Sequence, residues 1–102
     1  MIQVNVLYPN GPQASFDFGY YRETHLPLVA ELLGDVLKDT GVVRGVSGGA
    51  QNESAPYIAI GSLQFASVED FQAAFAPHAE RILADLPNFT NTEPVIQVSD
   101  ML

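Results

Sequence analysis

His25 is the first residue of this chain that could do chemistry, because it lies in the middle of an apolar stripe. The stretch 18–39 has helical spacing of apolar residues. They recur at Tyr21, Leu28, Leu32 and Val36. Burial beside them lowers the pKa of an imidazole and keeps it neutral, so that it can accept a proton. A core histidine bonded to a backbone carbonyl has the same pattern, and both interpretations stay open here.

Five further residues are candidates for the same site. Tyr21 is one helical turn from His25, and its phenol could stabilise a developing oxyanion. We predict His25 and Tyr21 as catalytic. The predicted substrate-binding residues are Tyr20, Leu28, Gln97 and His78. For His78 a surface position is the competing interpretation, since Pro77 interrupts its helix, and Gln97 could pair with a neighbouring strand instead.

Metal and cofactor chemistry have no motif in the sequence. The chain has no cysteine, which excludes disulfides, thiolate nucleophiles and cysteine-bound metals. Two distant histidines make a poor metal site. The glycines at 45, 48 and 49 are not followed by the Lys-Ser/Thr of a phosphate loop. We therefore predict no metal and no cofactor.

The charge balance limits the partners. With 4 basic and 12 acidic residues the net charge is −8. This charge disfavours nucleic acids, anionic membranes and multiply charged acidic substrates. It favours a small neutral or phenolic, apolar or aromatic molecule. No apolar run approaches the length of about 18 residues that spans a membrane, and the first residues alternate like a strand rather than a signal peptide. A cytoplasmic location is the expectation.

The elements that must position these residues follow the order β-α-β-β-α-β. Alternating residues predict a first strand from Ile2 to Tyr8. A helix follows from about Phe18 to Asp39, kinked by Pro27, with Gly41 as its C-terminal stop signal. The later predicted elements are a strand at 42–49, a strand at 57–65, a helix capped by Ser67 and interrupted at Pro77, and a strand from Pro94 to Val98. This is one α+β domain, 1–102, of the ferredoxin-like type, with two helices on one face of a four-stranded antiparallel sheet.

A second copy of the chain is the simplest cover for the other face of the sheet, which would carry Ile58 and Ile60. Charged residues are only 16% of the chain, against about 25% in typical domains. Such a deficit indicates a large core or apolar surface that a partner covers. We expect a homodimer with two-fold symmetry.

Two motifs resemble the EthD family, named for ethyl tert-butyl ether degradation. The first reads Phe16-Asp17-x-x-Tyr20-Tyr21-x-x-x-His25-x-Pro27-Leu28. The second reads Asp85-x-Pro87-Asn88-Phe89-Thr90-Asn91, followed by Pro94-x-x-Gln97. The resemblance implies a dimeric α/β barrel, two ferredoxin-like subunits packed sheet to sheet. The wider superfamily includes cofactor-free monooxygenases, polyketide cyclases, muconolactone isomerases, haem-degrading enzymes and dye-decolourising peroxidases. The neutral spacer at 10–15 departs from the family pattern, so the substrate class is not carried across.

The leading hypothesis is a small cofactor-independent enzyme that acts on an apolar, aromatic or polyketide-like compound. His25 would move a proton, and Tyr21 or Tyr20 would stabilise the oxyanion. Oxygenation, cyclisation, dehydration and isomerisation are all compatible with it. A non-catalytic accessory protein that binds the same compound is one alternative, and a haem-linked protein with a histidine ligand is another. The segment 85–91 is interpreted as a mainly structural turn.

Overall fold

The computed structural model describes residues 1–102 and contains one four-stranded antiparallel sheet. Its strands are β1 (Ile2–Pro9), β2 (Asp39–Arg44), β3 (Tyr57–Phe65) and β4 (Val95–Asp100). They lie in the order β2-β3-β1-β4, and β1 pairs with both β3 and β4. This is the ferredoxin-like arrangement that the order of elements predicts.

Two interrupted helices cover one face of the sheet. The first consists of α1 (Phe18–Tyr20), a π-helical turn (Tyr21–His25, hereafter the π turn), α2 (Leu26–Leu33) and a 3-10 turn (Gly34–Val36). The second consists of α3 (Val68–Phe75), a 3-10 turn (Ala76–His78), α4 (Ala79–Ala84) and a 3-10 turn (Leu86–Asn88). The interruptions fall beside prolines, as Pro27 and Pro77 predict.

Both predicted helix starts are confirmed by side-chain caps. The Asp17 carboxylate accepts a hydrogen bond from the Tyr20 amide at 3.0 Å. The Ser67 hydroxyl accepts one from the Asp70 amide at 3.1 Å. Each cap satisfies an amide that has no partner within its helix.

The predicted end of the first helix and the predicted bounds of the second strand are wrong. The helix does not reach Gly41, because Gly34 has a φ of 70° and turns the chain out of α2. Strand β2 therefore begins at Asp39 and contains Gly41. It ends at Arg44, so the predicted strand residues 45–49 form a loop. Leu32 and Val36 keep helical phase across the break, which is why the pattern continued too far.

The core lies between the sheet and the helices, in two clusters. The larger cluster joins residues of β1 and β3 to Val29 and Leu33 of α2 and Ile82 of α4. The smaller cluster is mostly aromatic and consists of Tyr8, Tyr21, Ala59 and Phe89. Its rings meet at edge-to-face angles, for instance Tyr8 against Phe89 with centroids 6.0 Å apart. The site described below lies where these two clusters adjoin.

The uncovered face of the sheet carries one apolar row and two polar rows. Strand pairing places four apolar residues side by side across all four strands: Val95, Leu7, Ile60 and Val43. The next rows carry mainly amides and hydroxyls, among them Asn5, Gln97, Gln3 and Gln64. The face predicted to be open is therefore only partly apolar.

Candidate functional site

A cavity of about 50 Å³ lies between the sheet and the helical layer. Its wall is almost entirely apolar, and the only side chains that bring polar atoms to it are Tyr8, Tyr21 and His25. Leu83 of α4 and Ile96 of β4 also line it, and both are 46% exposed to solvent. They mark an apolar mouth between α4 and the edge of the sheet.

His25 presents one ring nitrogen to this cavity. Its residue surface is only 4% exposed, and Nδ1 lies 2.8 Å from Oδ2 of Asp85. An ionised carboxylate only accepts hydrogen bonds, so Nδ1 carries the hydrogen and donates it. Nε2 makes no hydrogen bond. Because every fully buried polar side-chain atom of the protein has a partner, Nε2 is not fully buried. Because His25 lines the cavity, Nε2 is the ring nitrogen available to it, with a lone pair free to accept a proton.

Asp85 is the centre of the polar network behind His25. Besides the imidazole, it accepts hydrogen bonds from the Tyr20 hydroxyl at 2.7 Å and the Asn88 amide at 2.9 Å. Partial burial alone would raise the pKa of the Asp85 carboxyl. The hydrogen bonds from Tyr20, Asn88 and His25 outweigh it and hold that pKa below its usual value. The carboxylate is thus ionised at neutral pH and fixes the orientation of the ring.

Burial lowers the pKa of His25 from its ordinary value, and the carboxylate of Asp85 offsets only part of this effect. The imidazole is consequently neutral at pH 7. If it takes a proton, the charge is stabilised by the Asp85 carboxylate at Nδ1. This combination suits a general base whose proton comes from a molecule in the cavity.

Tyr21 lies directly against His25. The two rings are nearly parallel, with centroids 5.2 Å apart and planes 27° apart. The Tyr21 hydroxyl rests on the sheet at Gly61, where a Cβ would overlap it. Burial raises the pKa of Tyr21 to about 12, and burial also raises the pKa of Tyr8, beside which Tyr21 lies. Both phenols stay protonated and can act only as neutral hydrogen-bond donors or acceptors.

The structure brings together three of the six site residues that the sequence predicts. His25 and Tyr21 line the cavity, and Tyr20 joins them through Asp85. Leu28 and His78 are half-buried but do not line the cavity.

Gln97 lies on the opposite face of the sheet from the cavity. It pairs with Asn5, whereas its neighbour Ile96 lines the cavity. Its side-chain amide donates to the Ser99 hydroxyl at 3.0 Å. Any contact of Gln97 with a ligand would therefore occur on the uncovered face of the sheet.

Sequence reasoning missed Asp85, which was interpreted only as part of a structural turn. Two signals could have found it. A buried imidazole nitrogen needs a partner. The motif residue Asp85 also follows the second helix on the face that packs near His25. Phe89, from the same turn, packs on His25 with ring centroids 4.6 Å apart. The turn is structural, and it also forms part of the site.

The side chains form no cluster of metal ligands, and the enclosed space is small. The structure has no group of three or more His, Cys, Asp or Glu side chains that could hold a metal ion. A haem on His25 would need far more room than about 50 Å³.

No helix is both long and apolar enough to cross a membrane.

Comparison with known proteins identifies the family. The EthD domain matches residues 11–93, and the chain belongs to the EthD family. No curated protein sequence matches it. An EthD-like protein from Ralstonia eutropha JMP134 is 36% identical, with a TM-score of 0.91, over 97% of this chain and 89% of that one.

Two more distant structures share the fold. A dimeric ferredoxin-like protein of unknown function from Thermobifida fusca YX is 14% identical, with a TM-score of 0.58 over 98% of this chain and 90% of that one. A point mutant of SnoaB, a cofactor-independent oxygenase from Streptomyces nogalater, is also 14% identical. Its TM-score is 0.50 over 99% of this chain and 93% of that one.

Proposed function

We propose that this protein is a small EthD-type enzyme that moves a proton on an apolar carbonyl or phenolic compound, with Nε2 of His25 as the base. The observation that carries the proposal is the orientation of His25. Its Nδ1 is held by Asp85 at 2.8 Å, and its Nε2 has no partner while the ring lines an apolar cavity. Such an isolated polar atom in an apolar pocket is typical of a binding or active site.

The chemistry can be written for a carbonyl compound. Nε2 takes the proton from the carbon next to the carbonyl, and the C–H electron pair becomes an enolate. Tyr21 donates a hydrogen bond to the enolate oxygen, while Asp85 stabilises the imidazolium. Return of the proton completes the cycle with no co-reactant. An enolate or phenolate of this kind is also a common starting point for oxygenation, cyclisation, dehydration and isomerisation.

The size of the cavity limits how the compound enters. A cavity that binds benzene has a volume of about 150 Å³. The volume here is about 50 Å³. We infer that only the reacting edge of a ring reaches His25, and that the rest lies in the mouth on Leu83 and Ile96. The fold shared with SnoaB, a cofactor-independent oxygenase, supports an enzyme of this type that works without a cofactor.

A direct test is deuterium exchange into 2-indanone, a small uncharged bicyclic ketone with acidic C–H bonds. The purified protein in D₂O is expected to accelerate exchange at the carbons beside the carbonyl, with a rate that saturates as the ketone concentration rises. Proton NMR of the ketone measures it. A rate equal to that of buffer at the same pH contradicts the proposal. Saturable binding without exchange would favour the accessory-protein alternative.

We also propose that the chain forms a homodimer through the uncovered face of its sheet. The apolar row Val95, Leu7, Ile60 and Val43 supports this, since Val95 and Val43 are 55% and 60% exposed. The dimeric ferredoxin-like protein from Thermobifida fusca has the same fold. We also propose a cytoplasmic location, in line with the strand-like pattern of the first residues.

Light scattering tests the dimer. The expected mass is twice the 11.0 kDa of one chain. Val43→Glu places a charge in the apolar row and is expected to shift the protein toward the monomer. Val46→Glu changes an exposed loop valine outside the row and is the matched control. A mass of 11.0 kDa for the unmodified protein would rule out this assembly.

A further inference from the structure

Tyr20 and His25 bind the same carboxylate although they are not on the same side of a regular helix. Their hydrogen bonds to the two oxygens of Asp85 are 2.7 and 2.8 Å long. In an α-helix each residue turns about 100°, so residues at i and i+5 lie about 140° apart around the axis. That angle would point the two side chains toward nearly opposite sides of the helix and away from a shared carboxylate.

The π turn removes this conflict. The Leu26 amide donates to the Tyr21 carbonyl, five residues back, instead of four. Such a wide turn holds more residues than an α-helical turn, so residues at i and i+5 lie closer together around the axis than in an α-helix. Tyr20 and His25 therefore point to the same side, toward Asp85, while Tyr21 points to the sheet at Gly61.

Pro27 lies two residues after the wide turn and disfavours a regular helix there. It has no amide hydrogen to donate to the Glu23 carbonyl, and its ring crowds that carbonyl. Pro27 is the second residue of α2 and is exposed, so it does not line the cavity. Any influence on the site must pass through the backbone of the π turn.

We propose that Pro27 is a positioning residue: it holds the π turn open, so that Tyr20 and His25 share Asp85 and Nε2 of His25 faces the cavity. The effect of Pro27 on catalysis rests on the proposed function, whereas its effect on the orientation of Tyr20 and His25 does not. The titratable groups that face His25 are Asp85 and Tyr21, with Tyr8 next to Tyr21.

Pro27→Ala tests the proposal. Alanine restores the amide hydrogen and favours a regular helix, and the exposed site loses no packing. With a narrower turn, Tyr20 and His25 cannot both reach Asp85. Nitrogen-15 NMR of the imidazole is expected to show one tautomer, with hydrogen on Nδ1, in the unmodified protein. It is expected to show a mixture with the Nε2–H form in the variant. Pro27→Lys repeats the test with another helix-forming side chain.

A double-mutant cycle gives a second readout. Tyr20→Phe removes a hydrogen-bond donor from Asp85. The carboxylate then stabilises the protonated ring of His25 more strongly, which raises the pH midpoint of the His25 titration measured by NMR. This shift is expected in the parent protein and is expected to vanish in the Pro27→Ala background. Pro12→Ala, in an exposed loop, controls for the general effect of losing a proline on the unfolded chain.

The proposal is overturned if Pro27→Ala keeps the single Nδ1–H tautomer and the full Tyr20-dependent shift. Both readouts are taken without a ketone. Failure of 2-indanone exchange would therefore leave the positioning result intact, and loss of the positioning result would leave the exchange result intact.

Discussion

His25→Gln is expected to slow deuterium exchange into 2-indanone by about 10²-fold or more, since general-base catalysis by a positioned side chain contributes about 10²–10⁴-fold. Glutamine keeps an N–H that can donate to Asp85 and fills a similar space, but it has no basic nitrogen. The cavity and the fold are thus preserved while the proton acceptor is lost. Proton NMR of the ketone measures both rates.

The pH dependence separates His25 from a general structural effect. The rate of the unmodified protein is expected to rise with pH and level off above the pKa of His25, because only the neutral ring accepts a proton. That pKa lies below its ordinary value because burial disfavours the charged ring. The inflection should disappear in His25→Gln. A variant that kept the inflection would remove His25 from the mechanism.

His78→Gln is the matched control, because it makes the same chemical change at the other histidine, which does not line the cavity. Its rate and its pH profile are expected to equal those of the unmodified protein. An equal loss in both variants would show that the exchange depends on something other than the His25 site.

The sequence predicts the sheet well where local patterns decide the structure. Strand β3 has apolar residues on both faces and a proline directly before it, and its bounds at Tyr57 and Phe65 are as predicted. The end of the first helix was wrong for a different reason. Leu32 and Val36 stay in helical phase, and the one signal of the break is Gly34, whose left-handed φ of 70° a periodicity argument does not detect.

The candidate site was predictable only to the extent that it is local. His25 and Tyr21 are four residues apart on one helix, and this spacing brings them together even on a regular α-helix. The bond between Tyr20 and Asp85 joins positions that are 65 residues apart. It depends on the π turn and on the 3-10 turn after Asp85, neither of which has a periodic signature. The position of Gln97 was predictable in principle. It is next to Ile96 in β4, and successive residues of a strand point to opposite faces of the sheet.

Asp85→Asn is expected to slow exchange by about 10²-fold, close to the effect of losing the base itself. The reason is the tautomer of His25. The Asp85 carboxylate can only accept, so Nδ1 must carry the hydrogen and Nε2 is left free. The asparagine oxygen can still accept from Tyr20, and its amide nitrogen then donates to Nδ1. The hydrogen of His25 moves to Nε2, and the ring can no longer accept a proton from the cavity.

The tautomer makes this prediction separable from simple destabilisation. Nitrogen-15 NMR should report hydrogen on Nε2 in Asp85→Asn and on Nδ1 in the unmodified protein. Asp35→Asn makes the same change at an exposed carboxylate in the 3-10 turn after α2 and should alter neither the rate nor the tautomer. If Asp85→Asn kept both the exchange rate and the Nδ1–H tautomer, the carboxylate would serve only to stabilise the turn that carries Phe89. If it lost the rate but kept the Nδ1–H form, Asp85 would act by stabilising the imidazolium rather than by selecting the tautomer.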